Sequence, residues 1–242
     1  MNAALHAQTS PWPGTRLALR PISKALAQPL PWCGATLLQA AGLAAAVPKR
    51  RDEFLAGRRC AHEALAALGA GPATPVARAQ DGAPLWPQGV TGAISHGAGW
   101  AAALVSRDPG CLGLGVDVEA CFADDTWVDL APQFLSPRER ALLRPGREAW
   151  IATLCFSFKE CLIKAVLPRL QASVDFLSCE VLALDFGRRR AALRLPSAAL
   201  AVFGPHCVLQ AQWQAWPSTT EAGSPAAVLT ALQLTASSSP QS

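Results

Sequence analysis

The stretch GLGVDVEA at residues 113–120 constrains the fold most, because it sets two acidic side chains at the end of an apolar run. In a β-strand, successive side chains point to opposite faces, so Asp117 and Glu119 share one face while Val116 and Val118 take the other. The strand rise separates such neighbours by roughly 6–7 Å, close enough for one cation to engage both carboxylates. Two like charges held this way repel, so the fold has to supply something that neutralises them.

The composition is that of a globular chain. Its 242 residues are enough for one large domain or two small ones, and 51% are hydrophobic against 16% charged, which excludes an intrinsically disordered chain. The net charge of +4 is too small to indicate nucleic-acid binding by itself. Basic clusters at 48–51, 57–59 and 187–190 are either solvated surface or contacts for a phosphate-rich ligand.

The chain carries no pattern typical of secretion or membrane insertion. Its N-terminus lacks a basic region followed by an apolar core, and the most apolar stretch, 36–47, is too short to span a bilayer and contains Gln39. The eight cysteines form no CxxC pair and have apolar neighbours, which favours buried free thiols in a reducing compartment. We therefore expect a cytoplasmic protein that binds neither membranes nor nucleic acid.

The periodicities predict an α+β fold made of two similar halves. A strand at 15–22 and a helix from Pro48 to Leu68 come first. Strands at 92–96 and 100–106 then lead through a turn into the acidic strand, as in a β-meander. The second half has a helix at about 147–167 followed by strand-like runs at 176–185, 190–195, 206–216 and 226–234. We expect an N-terminal half at 1–122, a C-terminal half at 123–235 and a disordered tail at 236–242.

The second predicted helix carries another charged cluster, within LCFSFKECLIKA at 154–165. Ser157, Glu160, Cys161 and Lys164 lie on a face distinct from its apolar stripe, with Lys159 at the flank. One interpretation is an i,i+4 ion pair between Glu160 and Lys164 on a solvated surface.

The alternative is that Glu160 faces Asp117 and Glu119, so that three carboxylates converge. An oxygen-only ligand set favours Mg²⁺ over zinc, and Mg²⁺ completes its shell with water and phosphate oxygens. Two nearby lysines suit a polyphosphate. On these residues alone, phosphoryl or phosphopantetheinyl chemistry and nucleotide binding all remain open.

Four blocks in this order resemble the 4′-phosphopantetheinyl transferases, in particular the longer surfactin and enterobactin type. The family pattern G-I/V-D-I/V-E matches Gly115–Glu119, and F/W-S/C-x-K-E-S/A-x-x-K matches Phe156–Lys164, with Cys161 in place of Ser or Ala. The basic stretch at 49–65 and PLWPQGVTGAISH at 84–96 match two further blocks. The resemblance covers roughly residues 45–170.

The resemblance implies two similar α/β subdomains with the active site in the cleft between them. It implies an enzyme of the holo-acyl-carrier-protein synthase type, which moves the phosphopantetheine arm of coenzyme A to a serine of an acyl or peptidyl carrier protein and releases 3′,5′-ADP. Mg²⁺, with Mn²⁺ as an alternative, would be the metal, and a monomer would suffice. The pathway (siderophore, nonribosomal peptide, polyketide or fatty acid) is left open.

The resemblance also implies roles for individual residues. Glu160, or a metal-bound water that it orients, would accept the serine proton, and Lys164 would stabilise the leaving group. Glu139, within a predicted capping box that begins at Ser136, is a second candidate base or a helix cap. His96 is either a ligand contact or a structural histidine. The metal positions are Asp117, Glu119 and Glu160, and the coenzyme A positions are Arg50, Arg58, Arg78, His96, Lys159 and Lys164.

Three other interpretations compete with this one. The chain could be a coenzyme A or nucleotide-binding protein without catalysis, a Mg²⁺-dependent phosphohydrolase that uses water in place of a carrier serine, or a structural domain whose charged motifs are surface ion pairs. Retention of all three acids and both motif lysines argues against the first, and the sequence contains no P-loop-like motif that would favour the second.

Overall fold

The computed structural model describes residues 12–71, 75–123, 127–170, 173–217 and 225–236. Apart from Ala236, the predicted disordered tail lies outside these residues. The chain divides into two compact units, Met1–Pro109 and Gly110–Ser242.

The first unit packs one long helix on a three-stranded antiparallel sheet. Its elements are β1 (Thr15–Pro21), α1 (Ile22–Ala27), α2 (Gly34–Ala40), α3 (Pro48–Ala67), β2 (Ala77–Arg78), β3 (Pro84–Leu85), β4 (Thr91–Gly97) and β5 (Trp100–Ser106). The sheet order is β1-β5-β4, and β2 and β3 form a separate hairpin. Pro48 begins α3, as its fixed φ suits the first helical turn. The apolar face of α3, which includes Phe54 and Leu65, is buried against the sheet and its neighbours.

The second unit repeats this plan on a larger sheet. Its elements are β6 (Cys111–Ala120), α4 (Ala131–Phe134), α5 (Pro137–Arg140), α6 (Glu148–Val166), β7 (Glu180–Asp185), β8 (Arg190–Arg194), α7 (Ser197–Phe203), β9 (Val208–Pro217) and β10 (Pro225–Thr235). The sheet is antiparallel with the order β6-β10-β9-β8-β7. Helix α6 packs on β6, β10 and β7, and the residues predicted as its apolar stripe are fully buried.

The two units share a topology, which confirms the predicted pair of similar α+β halves. In each, a first strand is followed by one long helix and then by the remaining strands. The first strand then pairs with the last, β1 with β5 and β6 with β10. The long helices are nearly equal in length, with 20 residues in α3 and 19 in α6.

The predicted β-meander into the acidic strand is wrong. β4 and β5 form the expected hairpin, but β6 pairs with β10 and belongs to the second sheet. The signal for this pairing lies more than 100 residues further along the chain, beyond the reach of local periodicity. As a result the first unit ends at Pro109, and the acidic strand lies in the second unit, unlike in the predicted division at residue 122.

The remaining differences concern short elements. Helices α1, α2 and α7 were not predicted. They are six or seven residues long and have no side-chain cap, so neither periodicity nor a capping residue indicates them in the sequence. The run at 176–185 begins with a 3₁₀ turn, Phe176–Ser178, and becomes a strand only at Glu180. The capping box at Ser136 and Glu139 is present as predicted.

Two further observations concern the helices and the cysteines. Within the described ranges, none of the helices has the length and apolarity needed to cross a membrane. All eight cysteines are free, and five of them are buried.

Glycines in β6 let helix α6 approach the strand at backbone distance. A Cβ atom added at Gly115 would collide with the carbonyl of Cys161, and one at Gly113 with the carbonyl of Ala165. The next residue on this face of the strand is Asp117, which contacts Ser157 of α6. Each two residues along the strand are therefore matched by four residues along the helix. The two steps are nearly equal in length, roughly 6–7 Å for the strand and roughly 6 Å for the helix.

Gly115→Ala should lower the free energy of unfolding by about 3 kcal/mol, because the added methyl group meets main-chain atoms that cannot rotate away. Gly34→Ala is the matched control: its Cβ would make ordinary contacts with Leu30 and Leu55, so we expect a change within about 0.5 kcal/mol. Urea unfolding followed by circular dichroism measures both. Equal stability of the two variants would contradict the close approach of α6 to β6.

Candidate active site

The carboxylates of β6 lie at the end of the strand, against α6. The side chain of Asp117 is only 5% exposed, whereas Glu119 is half-buried. Val116 and Val118, on the opposite face, are fully buried, as predicted from the alternation of the strand. The strand thus holds one acid inside the fold and the next one at its margin.

Helix α6 places one acid and one base beside Asp117. The ammonium of Lys164 lies 2.7 Å from Asp117 Oδ1 and 3.7 Å from Glu160 Oε2. It is also 3.5 Å from the carbonyl oxygen of Val116. The i,i+4 pair between Glu160 and Lys164 is therefore present, but it faces the acidic strand rather than an open surface. The positive charge of Lys164 thus offsets part of the repulsion between the two carboxylates of the strand.

The acidic groups influence each other strongly. Burial, followed by the negative charge of Asp117, raises the pKa of Glu119 to about 7. Burial also raises the pKa of Glu160, against the opposing effect of Lys164. The group as a whole holds more negative charge than Lys164 neutralises, which is the electrostatic condition under which an added cation binds.

The donor chemistry fits Mg²⁺, although the side chains do not form a closed cage. In the part of the chain that the structure describes, no three Asp, Glu, His or Cys side chains lie close enough together to hold a metal ion. Mg²⁺ is commonly held by one or two carboxylates and completed by water and substrate phosphates, so a closed cage is not required. Asp117, Glu119 and Glu160 are the carboxylates that the resemblance assigns to it, although in the structure the three do not lie close enough together to hold one ion by themselves.

Lys159 does not join this group, contrary to the prediction that it contacts a phosphate. Its ammonium is fully buried and donates to Glu139 Oε2 at 2.7 Å and to the carbonyl oxygen of Phe134 at 2.6 Å. Glu139 also accepts from the backbone amides of Ser136 and Val181. Both charges are thus used inside the fold, and Glu139 acts as a helix cap rather than as an accessible base.

The first unit contains a second cluster, which is basic. Arg50 donates to His96 Nε2 at 2.7 Å, so this ring nitrogen is unprotonated. The other ring nitrogen lies 3.6 Å from Glu53 Oε2. Arg50, Glu53 and Phe54 stand at positions i, i+3 and i+4 of α3 and therefore share one face of the helix. His96 comes from the end of β4, across from this face.

Two further arginines complete the basic cluster. Arg58 is 5% exposed, and its Nε is buried with no hydrogen-bond partner among the residues that the structure describes. Burial, followed by the charges of Arg78 and Arg50, lowers the pKa of Arg58 to about 10. Its guanidinium also stacks over the ring of Phe54, 4.5 Å from the centroid. Arg58 and Phe54 line a cavity of about 110 Å³ together with Arg50, Glu53, Gly57, Arg78, Gly82, Pro84, Ile94 and His96.

The four basic residues predicted from the sequence are therefore brought together around one cavity. A site that buries an arginine among like charges, without a hydrogen bond to Nε, favours an anion with several oxygens. The sequence reasoning did not single out Glu53, although its spacing from Arg50 was available as a signal. It also gave no role to Ser157, and it missed Thr230 because the pairing of β10 with β6 was not foreseen.

Two family models match the chain, one in each unit. The 4′-phosphopantetheinyl transferase N-terminal domain matches residues 38–106, which contain the basic cluster. The 4′-phosphopantetheinyl transferase superfamily model matches residues 113–215, which contain the acidic strand and α6. The chain belongs to the 4′-phosphopantetheinyl transferase superfamily.

Curated members of this superfamily are similar over part of the chain. The 4′-phosphopantetheinyl transferase Svp of Streptomyces mobaraensis is 38% identical over 61% of this chain and 60% of its own length. Enterobactin synthase component D of Salmonella typhi is 36% identical over 50% of each chain. The 4′-phosphopantetheinyl transferase PptT of Mycobacterium tuberculosis is 42% identical over 32% of this chain and 34% of its own length. The chain thus spans about half the length of the curated relatives it matches.

Arg58→Met should raise the free energy of unfolding by about 1 kcal/mol at neutral pH. A base whose pKa is lower in the folded protein binds its proton more tightly when unfolded, so the charged Arg58 opposes folding at every pH below about 10. The same substitution should remove the stabilisation that pyrophosphate gives to the wild type, measured as a shift in thermal midpoint.

Lys49→Met is the control for Arg58→Met, because Lys49 is an 86% exposed cation on the same helix. It should keep both the wild-type stability and the response to pyrophosphate. An Arg58→Met variant that is still stabilised by pyrophosphate as the wild type is would show that the anion binds elsewhere.

Lys159→Met should lower the free energy of unfolding by about 3–5 kcal/mol, because it leaves the buried carboxylate of Glu139 without its counter-charge. Lys24→Met, which removes an exposed lysine, should change it by less than about 0.5 kcal/mol. Urea unfolding distinguishes the two. Equal stability of Lys159→Met and Lys24→Met would contradict the buried ion pair between Lys159 and Glu139.

Proposed function

We propose that this protein transfers the 4′-phosphopantetheine arm of coenzyme A to a serine hydroxyl of an acyl or peptidyl carrier protein, in the presence of Mg²⁺, and releases 3′,5′-ADP. The observation that carries the proposal is the meeting of Asp117, Glu160 and Lys164 where β6 and α6 touch. Acidic oxygens for a divalent cation lie here beside an ammonium that can contact a phosphate.

The basic cluster of the first unit supports a substrate with several phosphates. Coenzyme A carries a 3′-phosphate and a pyrophosphate, and Arg50, Arg58, Arg78 and His96 are the groups assigned to them. Arg58 Nε is buried without a partner in the described part of the chain. An incoming phosphate oxygen would therefore gain a charge-assisted hydrogen bond at a donor that is already desolvated. Glu53 keeps His96 and Arg50 oriented toward each other.

In the proposed reaction, the serine oxygen of the carrier attacks the β-phosphorus of coenzyme A. A new phosphorus–oxygen bond forms, the bond to the departing 3′,5′-ADP breaks, and the ADP oxygen takes the bonding electrons. Glu160, which is a third exposed, accepts the serine proton. The ammonium of Lys164 stabilises the negative charge that develops on the leaving phosphate. Mg²⁺ held by Asp117, Glu119 and Glu160 would act as a Lewis acid on the phosphate oxygens.

The carrier itself is proposed by class only. The matching relatives include an enterobactin synthase component and several proteins named as phosphopantetheinyl transferases, so carriers of siderophore or nonribosomal peptide assembly are the first to test. We propose that the protein acts as a monomer in the cytoplasm.

Incubation of the protein with an apo carrier, coenzyme A and Mg²⁺ tests the proposal. Mass spectrometry should show the carrier gaining one phosphopantetheine, with one 3′,5′-ADP released per carrier modified. Release of 3′,5′-ADP without carrier modification would indicate a phosphohydrolase. Binding of coenzyme A with neither product, over a panel of acyl and peptidyl carriers, would indicate a binding protein.

Asp117→Asn should reduce transfer by about 100-fold or more, because the variant loses the charge that holds both Lys164 and the metal. The amide oxygen can still accept the hydrogen bond from Ser157, so the thermal midpoint should stay close to that of the wild type. Asp185→Asn removes a 43% exposed carboxylate and is the control for carrier modification. Near-normal transfer by Asp117→Asn would overturn the assignment of this site.

A further inference from the structure

A chain of buried hydroxyl groups stands behind Asp117. The side chains of Ser157 and Thr230 have no exposed surface. Ser157 Oγ lies 2.7 Å from Asp117 Oδ2 and 2.7 Å from Thr230 Oγ1. Cys161 Sγ lies 3.1 Å from that same Thr230 oxygen and 3.3 Å from the Thr230 carbonyl oxygen. The metal and substrate groups discussed above include none of these three side chains.

The direction of these hydrogen bonds follows from the number of protons. An ionised carboxylate only accepts, so Ser157 donates its single proton to Asp117. Thr230 must then donate to Ser157, and the thiol of Cys161 is left to donate to one of the two Thr230 oxygens. Each donor is polarised by the next, so the chain delivers a strengthened hydrogen bond to one oxygen of the carboxylate.

Three separate elements hold this chain in place. Thr230 on β10 is paired directly opposite Asp117 on β6. Ser157 lies on α6, which the glycines of β6 allow to approach at backbone distance. The hydroxyl groups therefore have fixed positions before any ligand arrives, and Asp117 Oδ2 is tied to the interior while Oδ1 is turned toward Lys164.

We propose that Ser157, supported by Thr230, is a positioning residue that orients Asp117 for divalent cation binding. This inference rests on the proposed function only for the identity of the cation site. A carboxylate with one oxygen anchored loses less side-chain entropy when its other oxygen engages a cation, and hydrogen-bonded partners of this kind are typically worth 10–100-fold in metal affinity.

Thr153 provides a matched comparison on the same helix, one turn before Ser157. It is also fully buried, but its hydroxyl donates to the carbonyl of Ala149 and accepts from the amide of Phe122. Both hydrogen bonds of the Thr153 hydroxyl are therefore made with backbone groups. A variant at Thr153 therefore reports what the loss of a buried hydroxyl does to stability without touching Asp117.

Mn²⁺ titration followed by electron paramagnetic resonance, with and without coenzyme A, tests the proposal on the full chain. Ser157→Ala should weaken Mn²⁺ binding by about 10–100-fold, and Thr230→Val by less, whereas Thr230→Ser should bind as the wild type does. Thr153→Val should lower the thermal midpoint while keeping the wild-type affinity for Mn²⁺. In the transfer assay, Ser157→Ala should need more Mg²⁺ for half-maximal rate but recover most of its rate when Mg²⁺ is saturating.

Equal Mn²⁺ affinity of Ser157→Ala and the wild type would overturn the positioning role. A loss in Thr153→Val as large as that in Ser157→Ala would overturn it too, because the effect would then follow stability. If Ser157→Ala does not fold, the pair Thr230→Val and Thr230→Ser decides: equal affinities reject the role. Failure of the proposed function is a separate result, in which the wild type binds Mn²⁺ and modifies no carrier.

Discussion

The contact of α6 with β6 at backbone distance is the constraint on which the acidic site depends. Along this contact, Gly113 meets Ala165, Gly115 meets Cys161 and Asp117 meets Ser157. A helix step of four residues is matched to a strand step of two, so the register is kept from the interior glycines to the carboxylate. With larger residues at the glycines, the helix would stand further from the strand, and a serine hydroxyl would no longer reach the aspartate.

The same helix separates its two motif lysines into different roles. At about 100° per residue, Lys159 and Lys164 point some 140° apart around α6. Lys164 therefore reaches Asp117, while Lys159 is directed into the core, where Glu139 and the carbonyl of Phe134 accept its hydrogen bonds. Burying Lys159 is tolerated only because Glu139 is already fixed by two backbone amides. Lys159 is thus part of the buried interior, whereas Lys164 lies among the carboxylates for which a catalytic role is proposed.

Much of this arrangement could be predicted from the sequence, since its signals are local. Alternation put Asp117 and Glu119 on one face of a strand, helical spacing put Glu160 with Lys164, and the capping box at Ser136 was readable. The predictions that failed were those that depend on the pairing of strands far apart in the sequence. Nothing near residue 117 indicates that Thr230 lies opposite it, so both the sheet of β6 and the hydroxyl chain escaped notice. Lys159 was misplaced because motif resemblance was weighed above its angle on the helix.

Each unit has a charged site beside its long helix. In both, a long helix lies on an antiparallel sheet whose first and last strands pair, and in both the site forms where that helix faces a strand end. In the first unit this strand is β4, and the side chains are arginines and His96. In the second unit it is β6, and the side chains are carboxylates and Lys164. One architecture thus presents opposite charges. In the proposed reaction, the phosphates of coenzyme A would use the basic site, and the cation that activates a phosphate would use the acidic one.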